Sequence, residues 1–434
     1  MKVARSFSFS EGLLNYLKKK IENESLVACF RTDEKYFTRV RSLSFSSLIY
    51  FLLQFGKSSC QQELDSFFQG SGISYTKGAL SQHRLKLKPE VFSHLNRLQT
   101  NYYYENATNI KKWKEHRLIS IDGSTIQLPF SNNLLDEFGH FETRTENGRK
   151  VIMARISQAY DPLNEISIDA QIAHYKTSEV ELFHRHLEFL DNDDLIIADR
   201  GYSAYWLMAL LLEQGKNFLI RVKANKWKLA NKFLHSSKKQ EIVEITPCIE
   251  AKKRCLEKGI TPKTLTLRFV RVPIENGEDH VLITSLTDSK KYPRKDVMNL
   301  YLKRWPVEES FKLIKVRAQL ENMSGKSAIT VRQDFHRIIM RANLANIISR
   351  KLTDKGQREI SKKRKSRYQL NRTQAYRKSK EIILGFLNPK IWYKILYEFA
   401  IQLLNQLEII RENRSNPRIR RYSGKPAGFS AYKP

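Results

Sequence analysis

The hydrophobic pattern of this chain changes its period twice. Up to about residue 112, apolar residues recur every three or four positions, as in "FSSLIYFLLQF" (45–55) and "EVFSHLNRLQ" (90–99). That spacing predicts a helical region over 1–112. Within it, "SYTKGALSQHRLKLKPEVF" (74–92) predicts a short helix, a turn and a second helix, with Thr76 as cap and Gln82, His83, Arg84 and Lys86 on a polar, basic face. Such a pair either reads DNA or is one more surface hairpin.

From 117 the runs shorten and fill with β-formers. "RLISIDGSTIQLP" (117–129) predicts a strand ending at Asp122 before a Gly-Ser turn, and "KVIMARISQAYDPLNEISIDAQIA" (150–173) two strands joined at "DPLN". "TSEVELFHRHLEFL" (177–190) predicts a helix, with Ser178 and Glu181 at capping-box spacing. "DLIIADRGY" (194–202) predicts a buried strand ending at Asp199, "SAYWLMALLLEQG" a helix closed by Gly215, and "NFLIRVK" (217–223) another strand. Over 113–223 this order predicts a mixed α/β sheet with helices packed on it. Both aspartates then fall at carboxyl ends of strands, the edge where functional groups collect in open α/β sheets.

Alternation in "KQEIVEITPCIEAKK" and "TLTLRFVRVPI" predicts a β-rich insertion over 224–280, and 281–352 then completes the core. "HVLITSLT" (280–287) is a buried strand and "PRKDVMNLYLKRW" opens a helix. Pro306 disfavours a helical Trp305, so a break and a second helix from Pro306 are expected. Glu308 then lies in the first turn of that helix, and Lys315 two turns further along the same face. Trp305 is expected to anchor its helix in the core. Residues 353–434 read as basic and helical. "SKKRKSRYQLNR" (361–372) and 411–426 are flexible or groove-lining stretches that contact DNA or are solvated, and 391–410 is an amphipathic helix that must pack on something.

Charge narrows the partners. Among 434 residues, 76 Lys and Arg face 45 Asp and Glu, a net +31 of which the C-terminal region holds roughly half. The excess favours a polyanion, with nucleic acid the commonest and an anionic membrane surface or acidic protein the weaker alternatives. Cys29, Cys60, Cys248 and Cys255 are scattered without zinc-ligand spacing, and a chain this large needs no disulfide framework. No apolar stretch is long enough for a signal peptide or a membrane span, so a soluble intracellular protein is expected, with no membrane partner.

Were Asp122, Asp199 and Glu308 to meet, three carboxylates without His or Cys would make hard oxygen ligands for Mg²⁺ or Mn²⁺. Two such ions can activate a water or a 3′-hydroxyl and stabilise the leaving oxygen of a phosphodiester. A strand-terminal Asp also serves as a turn or helix cap, and Arg200 and Tyr202 beside Asp199 either touch DNA or fix the loop. Glu309, about 100° round the helix from Glu308, is the rival third acid.

"IDGSTIQLP", "ADRGY" and "YLKRWPVEESFKLIK" (301–315) resemble the three catalytic blocks of bacterial insertion-sequence DDE transposases, in the group with the Y-x2-R-x3-E-x6-K signature. Tyr301, Arg304, Glu308 and Lys315 match that signature at every position, and the resemblance runs over most of 117–345. It implies an RNase H-like catalytic core with a β-strand insertion, flanked by N-terminal and C-terminal helical regions. Asp122, Asp199 and Glu308 would bind two Mg²⁺ ions, with Mn²⁺ able to substitute, and Tyr301, Arg304 and Lys315 would hold the DNA backbone at the cleaved end. Some relatives place a base-stacking tryptophan where this chain has His280. Either flipping is weaker here, an aromatic such as Tyr292 helps, or His280 is an ordinary surface histidine. The implied activity is cut-and-paste transposition, through terminal inverted repeats, a hairpin step and target DNA, on a homodimer bridging two ends. The helix at 391–410 is a candidate for that dimer contact. The rivals are a transposase-derived DNA binder that no longer cuts, a nuclease that only hydrolyses, and an RNA-binding protein.

Overall fold

The computed structural model describes residues 2–39, 43–56, 58–142, 150–274, 278–364 and 366–410; the basic run 411–426 lies outside them. The N-terminal region folds as α1 (Lys2–Ile21), α2 (Glu24–Phe30), α3 (Phe45–Gln54), α4 (Cys60–Phe67), α5 (Lys77–Arg84) and α6 (Glu90–Asn106). There follow β1 (Arg117–Gln127), α7 (Asn132–Phe138), β2 (His140–Glu142), β3 (Lys150–Asp161), β4 (Ile166–His174), α8 (Glu179–His186), β5 (Asp194–Ala198), α9 (Tyr205–Glu213) and β6 (Asn217–Val222). Next come α10 (Lys228–Leu234), β7 (Gln240–Ile245), α11 (Ile249–Glu257), β8 (Leu265–Val272), β9 (His280–Thr284), α12 (Arg294–Tyr301) and α13 (Pro306–Lys312). The helices α14 (Ala328–Lys363), α15 (Arg372–Leu384) and α16 (Trp392–Leu404) follow, with a short antiparallel pair, β10 (Tyr368–Gln369) and β11 (Glu408–Ile409). No helix among the described residues is long and apolar enough to cross a membrane.

Asn109–Thr125 and Arg155–Phe311 form one compact unit; the described residues of Met1–Thr108, Ile126–Ala154 and Lys312–Pro434 form another. The first of these carries a mixed α/β sheet. β3 pairs with β4 and β1, β1 runs parallel to β5 and β5 to β6, and β9, β8 and β7 continue antiparallel from β6. β7 and β8 thus lengthen the core sheet, and α10 and α11 stand among them where alternation alone gave strands. Leu118, Leu195, Ile197, Leu219 and Leu282 meet Val297 and Leu300 of α12 in one buried cluster. Each such side chain contributes about 1.5–3 kcal/mol when removed from water.

Tyr292 is part of that core and not a surface aromatic, because its ring stacks on Trp113 and its hydroxyl lies 2.9 Å from His116 Nε2. β1 does not stop at a Gly-Ser turn either; it runs on to Gln127. Gly123 serves a close approach there, since a Cβ would stand 2.9 Å from Glu179 Cγ. After α12 the chain makes a 3₁₀ turn, Leu302–Arg304, before α13 begins at Pro306. The break is where proline predicted it, although Trp305 keeps a helical conformation (φ −55°, ψ −34°).

In the other unit, Thr76 caps α5 by accepting from the Ala79 N–H. His83 and Arg84, expected on a basic surface, are buried. Leu80, His83 and Arg84 share one face of α5, so the stripe that carries the leucine inward takes the arginine with it. The charge is tolerated because Arg84 Nη2 lies 3.2 Å from Asp334, Nε donates to Gln333 and Nη1 to Ser324. Asp334 also receives Arg337 at 2.8 Å, and these two cations outweigh its burial and hold its carboxyl far below the usual range. Leu313–Arg317 winds as a π-helix, so the step from Glu308 to Lys315 is not two regular α-helical turns, and Lys315 belongs to this unit. The four cysteines form no disulfide. α16 packs through Trp392, Leu396, Phe399 and Leu403.

Replacing one partner of a buried, hydrogen-bonded ion pair leaves the other uncompensated, at a cost of about 3–5 kcal/mol. Arg84→Ala is expected to lower the unfolding free energy on that scale in urea denaturation, and Gln82→Ala, on the exposed side of α5, to change it by less than about 0.5 kcal/mol. Equal effects of the two would contradict the buried placement.

Candidate active site

Parallel register places the first two acids. β1 and β5 pair residue for residue up to Ile121 opposite Ala198. Asp122, within β1, and Asp199, just past the end of β5, are the next residues in that register, so they lie side by side where β5 stops. Gly123 N–H donates to Asp122 Oδ1 at 2.9 Å, and Arg200 N–H to Asp199 Oδ1 at 2.6 Å. Asp199 therefore does cap the 3₁₀ turn Arg200–Tyr202, the ordinary role of such a residue, while also facing the rest of the cluster.

The packing of α12 brings in the third. With Val297 and Leu300 buried against the sheet, the 3₁₀ turn lies over β1, where Ser120 Oγ donates to the Lys303 carbonyl at 3.3 Å. Arg304 then points into the acids. It lies 3.0 Å from Glu308 Oε1 and 3.7 Å from Asp122 Oδ2, and only 6% of it is exposed. Tyr301 donates to Asp199 Oδ1 at 3.3 Å, and Arg221, at the end of β6, lies 2.7 Å from the same oxygen. Glu308 is thus the acid that Arg304 holds, and Glu309 is exposed.

The electrostatics follow from that arrangement. Burial raises Asp122 to about 6, with Glu308 and Glu179 pushing the same way against the Gly123 N–H and Arg304. Burial also works to raise Asp199, but the Arg200 N–H, Arg221 and Arg304 outweigh it and hold this carboxyl below its ordinary value. Tyr301 is pushed up to about 12 by burial and by Asp199. Burial works against the charge of Arg304, and Tyr301 with Asp199, Glu308 and Asp122 more than restores it. His280, half-buried at the start of β9, is lowered by burial and then by Arg221 and Arg200. Arg200 itself is exposed.

One expectation is overturned, and one open alternative is decided. Trp305 is 55% exposed, with the Arg304 guanidinium 5.2 Å from its ring, because the 3₁₀ turn rotates it off the buried stripe. Of the two roles open to Tyr202, touching DNA or fixing its loop, burial against Phe183 fits the second. Its hydroxyl has no hydrogen-bond partner among the described residues, and it feels Glu179, Asp122 and Asp199. The sequence reading also missed Glu179, Arg155 and Arg221. Glu179 raises Asp122 and pairs with Arg155 at 3.0 Å; in the sequence it is simply the residue after the cap Ser178. The signal for the two arginines was an arginine set among apolar β-formers, Met153 and Ile156 around Arg155 and Ile220 and Val222 around Arg221.

An oxygen-only set of two adjacent aspartates, a third carboxylate and an orphaned buried hydroxyl suits a hard divalent cation. A cation already stands among these acids in the form of the Arg304 guanidinium. Among the described residues, no three His, Cys, Asp or Glu side chains stand in metal-holding geometry.

The family model for the transposase DDE domain matches residues 113–344, more than half of the chain. The chain belongs to the transposase DDE domain family. The matched DDE domain takes in Asp122, Asp199, His280, Tyr301, Arg304, Glu308 and Lys315. The chain is 22% identical over 285 residues to the transposase InsG for insertion sequence element IS4 of Escherichia coli (strain K12). That match covers 65% of this chain and 63% of the relative's length, so the chain spans less than two thirds of it. The cryo-EM structure of a piggyBac transposase synaptic complex with hairpin DNA covers 93% of this chain and 85% of its own, at 12% identity and a TM-score of 0.42.

The raised Asp122 carboxyl gives the DDE domain a pH signature. The folded chain binds this proton more tightly than the unfolded one. The linked stability is therefore complete below about pH 4 and is lost as pH rises through about 6. In metal-free buffer, Asp122→Asn should match the wild type near pH 4 and exceed it by about 2–3 kcal/mol at pH 7.5. A difference in urea denaturation that does not vary with pH contradicts the burial argument.

Proposed function

We propose that this chain is a DNA transposase of an insertion sequence, cleaving and rejoining DNA strands with Asp122, Asp199 and Glu308 as its acting carboxylates. The observation that carries this reading is the register of β1 on β5. It sets Asp122 and Asp199 side by side, with Arg304 drawing Glu308 toward Asp122. The strand order β4-β3-β1-β5-β6, with β1, β5 and β6 parallel, supports an RNase H-like core.

The three carboxylates would hold one or two Mg²⁺ ions, with Mn²⁺ as substitute. Such ions lower the pKa of a bound water or hydroxyl and neutralise charge on a phosphodiester oxygen. The chain's own residues supply the rest. Arg304 presents a forked donor suited to a phosphate, and Tyr301 a hydroxyl whose proton is firmly held. Lys315 completes the signature with a point charge, and His280 and Arg200 stand beside Asp199 as further DNA contacts. The substrate is double-stranded DNA, first the terminal inverted repeats and then the target. The net charge of +31 supplies the sequence-independent part of that affinity. Two DNA ends call for two copies of the chain, hence a homodimer on paired ends.

The test uses purified protein, a labelled duplex ending in the element's own inverted repeat, and Mg²⁺. Nicked, joined and strand-transfer products are expected. Asp122→Ala, Asp199→Ala and Glu308→Ala should each lower the cleavage rate by at least about 10²-fold while leaving the duplex bound. Cleaved products that are never joined would identify a nuclease on the same core. Bound but uncut DNA, in Mn²⁺ as well, would identify a DNA binder that no longer cleaves.

A further inference from the structure

Behind the acids lies a buried polar network that the proposed chemistry does not use. Ser157 and Gln158, neighbours on β3, are both fully buried. Ser157 Oγ donates to the backbone carbonyl of Asp122 at 3.1 Å. The same Oγ lies 2.9 Å from His186 Nε2, and His186 Nδ1 lies 2.6 Å from Asp169 Oδ2. A serine hydroxyl has one hydrogen, and here it goes to the Asp122 carbonyl, so Ser157 Oγ accepts from His186 Nε2. On the second branch, Gln158 Oε1 accepts from Ser310 Oγ at 2.9 Å and from Ser167 Oγ at 3.0 Å. Ser310 stands two residues beyond Glu308 on α13, and Ser167 and Asp169 are both on β4.

The Asp169–His186–Ser157 chain has the connectivity of a hydrolytic triad, but Ser157 has no exposed surface and its proton is committed to a carbonyl. It is no nucleophile. What it touches is the main chain of one acting carboxylate, and what its neighbour touches is the helix of another. One pair of residues, Ser157 and Gln158, thus grips both sides of the site. Each is itself fixed from β4, by Asp169 through His186 and by Ser167 directly. Buried polar groups of this kind are costly unless partnered, and the Ser157 hydroxyl, both His186 nitrogens and Gln158 Oε1 all have partners, Gln158 Nε2 being the one atom without one among the described residues.

We infer that this network is a positioning bracket that fixes the Asp122 backbone and the Glu308 helix against one another, so that the acids stand ready for a divalent cation. The inference rests on the reading of Asp122 and Glu308 as acting carboxylates. Ser157, Gln158, His186, Asp169 and Ser310 are positioning residues, since none of them contacts substrate. Residues that orient ligands in this way typically contribute 10–100-fold to metal affinity or rate.

The test takes the full chain with Ser157→Ala and Ser157→Thr and measures three things. These are the Mn²⁺ dissociation constant by electron paramagnetic resonance, the single-turnover cleavage rate on the end duplex, and the Kd for that duplex in the absence of metal. Ser157→Ala is expected to weaken Mn²⁺ binding and slow cleavage by about 10–100-fold with the duplex Kd unchanged, and Ser157→Thr, which restores the hydroxyl, to recover most of both. Wild-type Mn²⁺ affinity and rate in Ser157→Ala, beside an inactive Asp122→Ala, overturns the bracket alone. An Asp122→Ala that cleaves and binds Mn²⁺ like the wild type overturns the underlying reading of the site. If Ser157→Ala loses its cooperative thermal transition, Ser310→Ala and Ser310→Thr decide by the same three readouts, and an unaffected Ser310→Ala then overturns the bracket.

Discussion

Two parallel strands in register carry one aspartate each past their last paired residues, and like charges so placed repel unless cations stand among them. Much of the surrounding unit answers that constraint. Arg304 arrives on a 3₁₀ turn that exists because α12 must bury its apolar face on the sheet while Pro306 starts a new helix. Arg221 comes from the end of the next strand and Arg155 from the strand on the other side. Three arginines at the edge of one sheet would be unfavourable without the acids, as the acids would be without them.

The balance between the two aspartates is unequal, and that has a chemical consequence. Asp199 has Arg221 and two further donors, so it is held ionised. Asp122 has one backbone N–H and a guanidinium 3.7 Å away, with Glu308 and Glu179 adding to its burial, so its charge is the under-compensated one. A divalent cation relieves that deficit directly. It would also release Arg304 from its part in holding the acids together and leave the guanidinium for a phosphate.

Much of this arrangement was legible in the sequence, and the exceptions have physical causes. The strands holding Asp122 and Asp199, the helix break at Pro306 and the first-turn position of Glu308 could be read because each depends on local chemistry: β-forming runs, one proline, a helical period. Arg84 and Trp305 went the other way from expectation, and the role of Tyr202 stayed open between two readings. Whether an arginine is buried depends on whether another element offers Asp334 to meet it, and no window of neighbouring residues reveals that. Trp305 is exposed because a 3₁₀ turn alters the rotation per residue, and Tyr202 is buried because its turn folds back on Phe183. Glu179 and the Ser157–His186 chain were invisible for the same reason, since their partners are distant in sequence and meet only through the sheet.

The proposed cation site joins Asp122 and Asp199, and diffraction recorded at the manganese edge from crystals grown with Mn²⁺ tests it most directly. An anomalous peak bonded to oxygens of both aspartates is expected, with the Arg304 guanidinium withdrawn from Asp122. Manganese bound elsewhere, or an Arg304 that still bridges Asp122 and Glu308 in fully loaded protein, would contradict it.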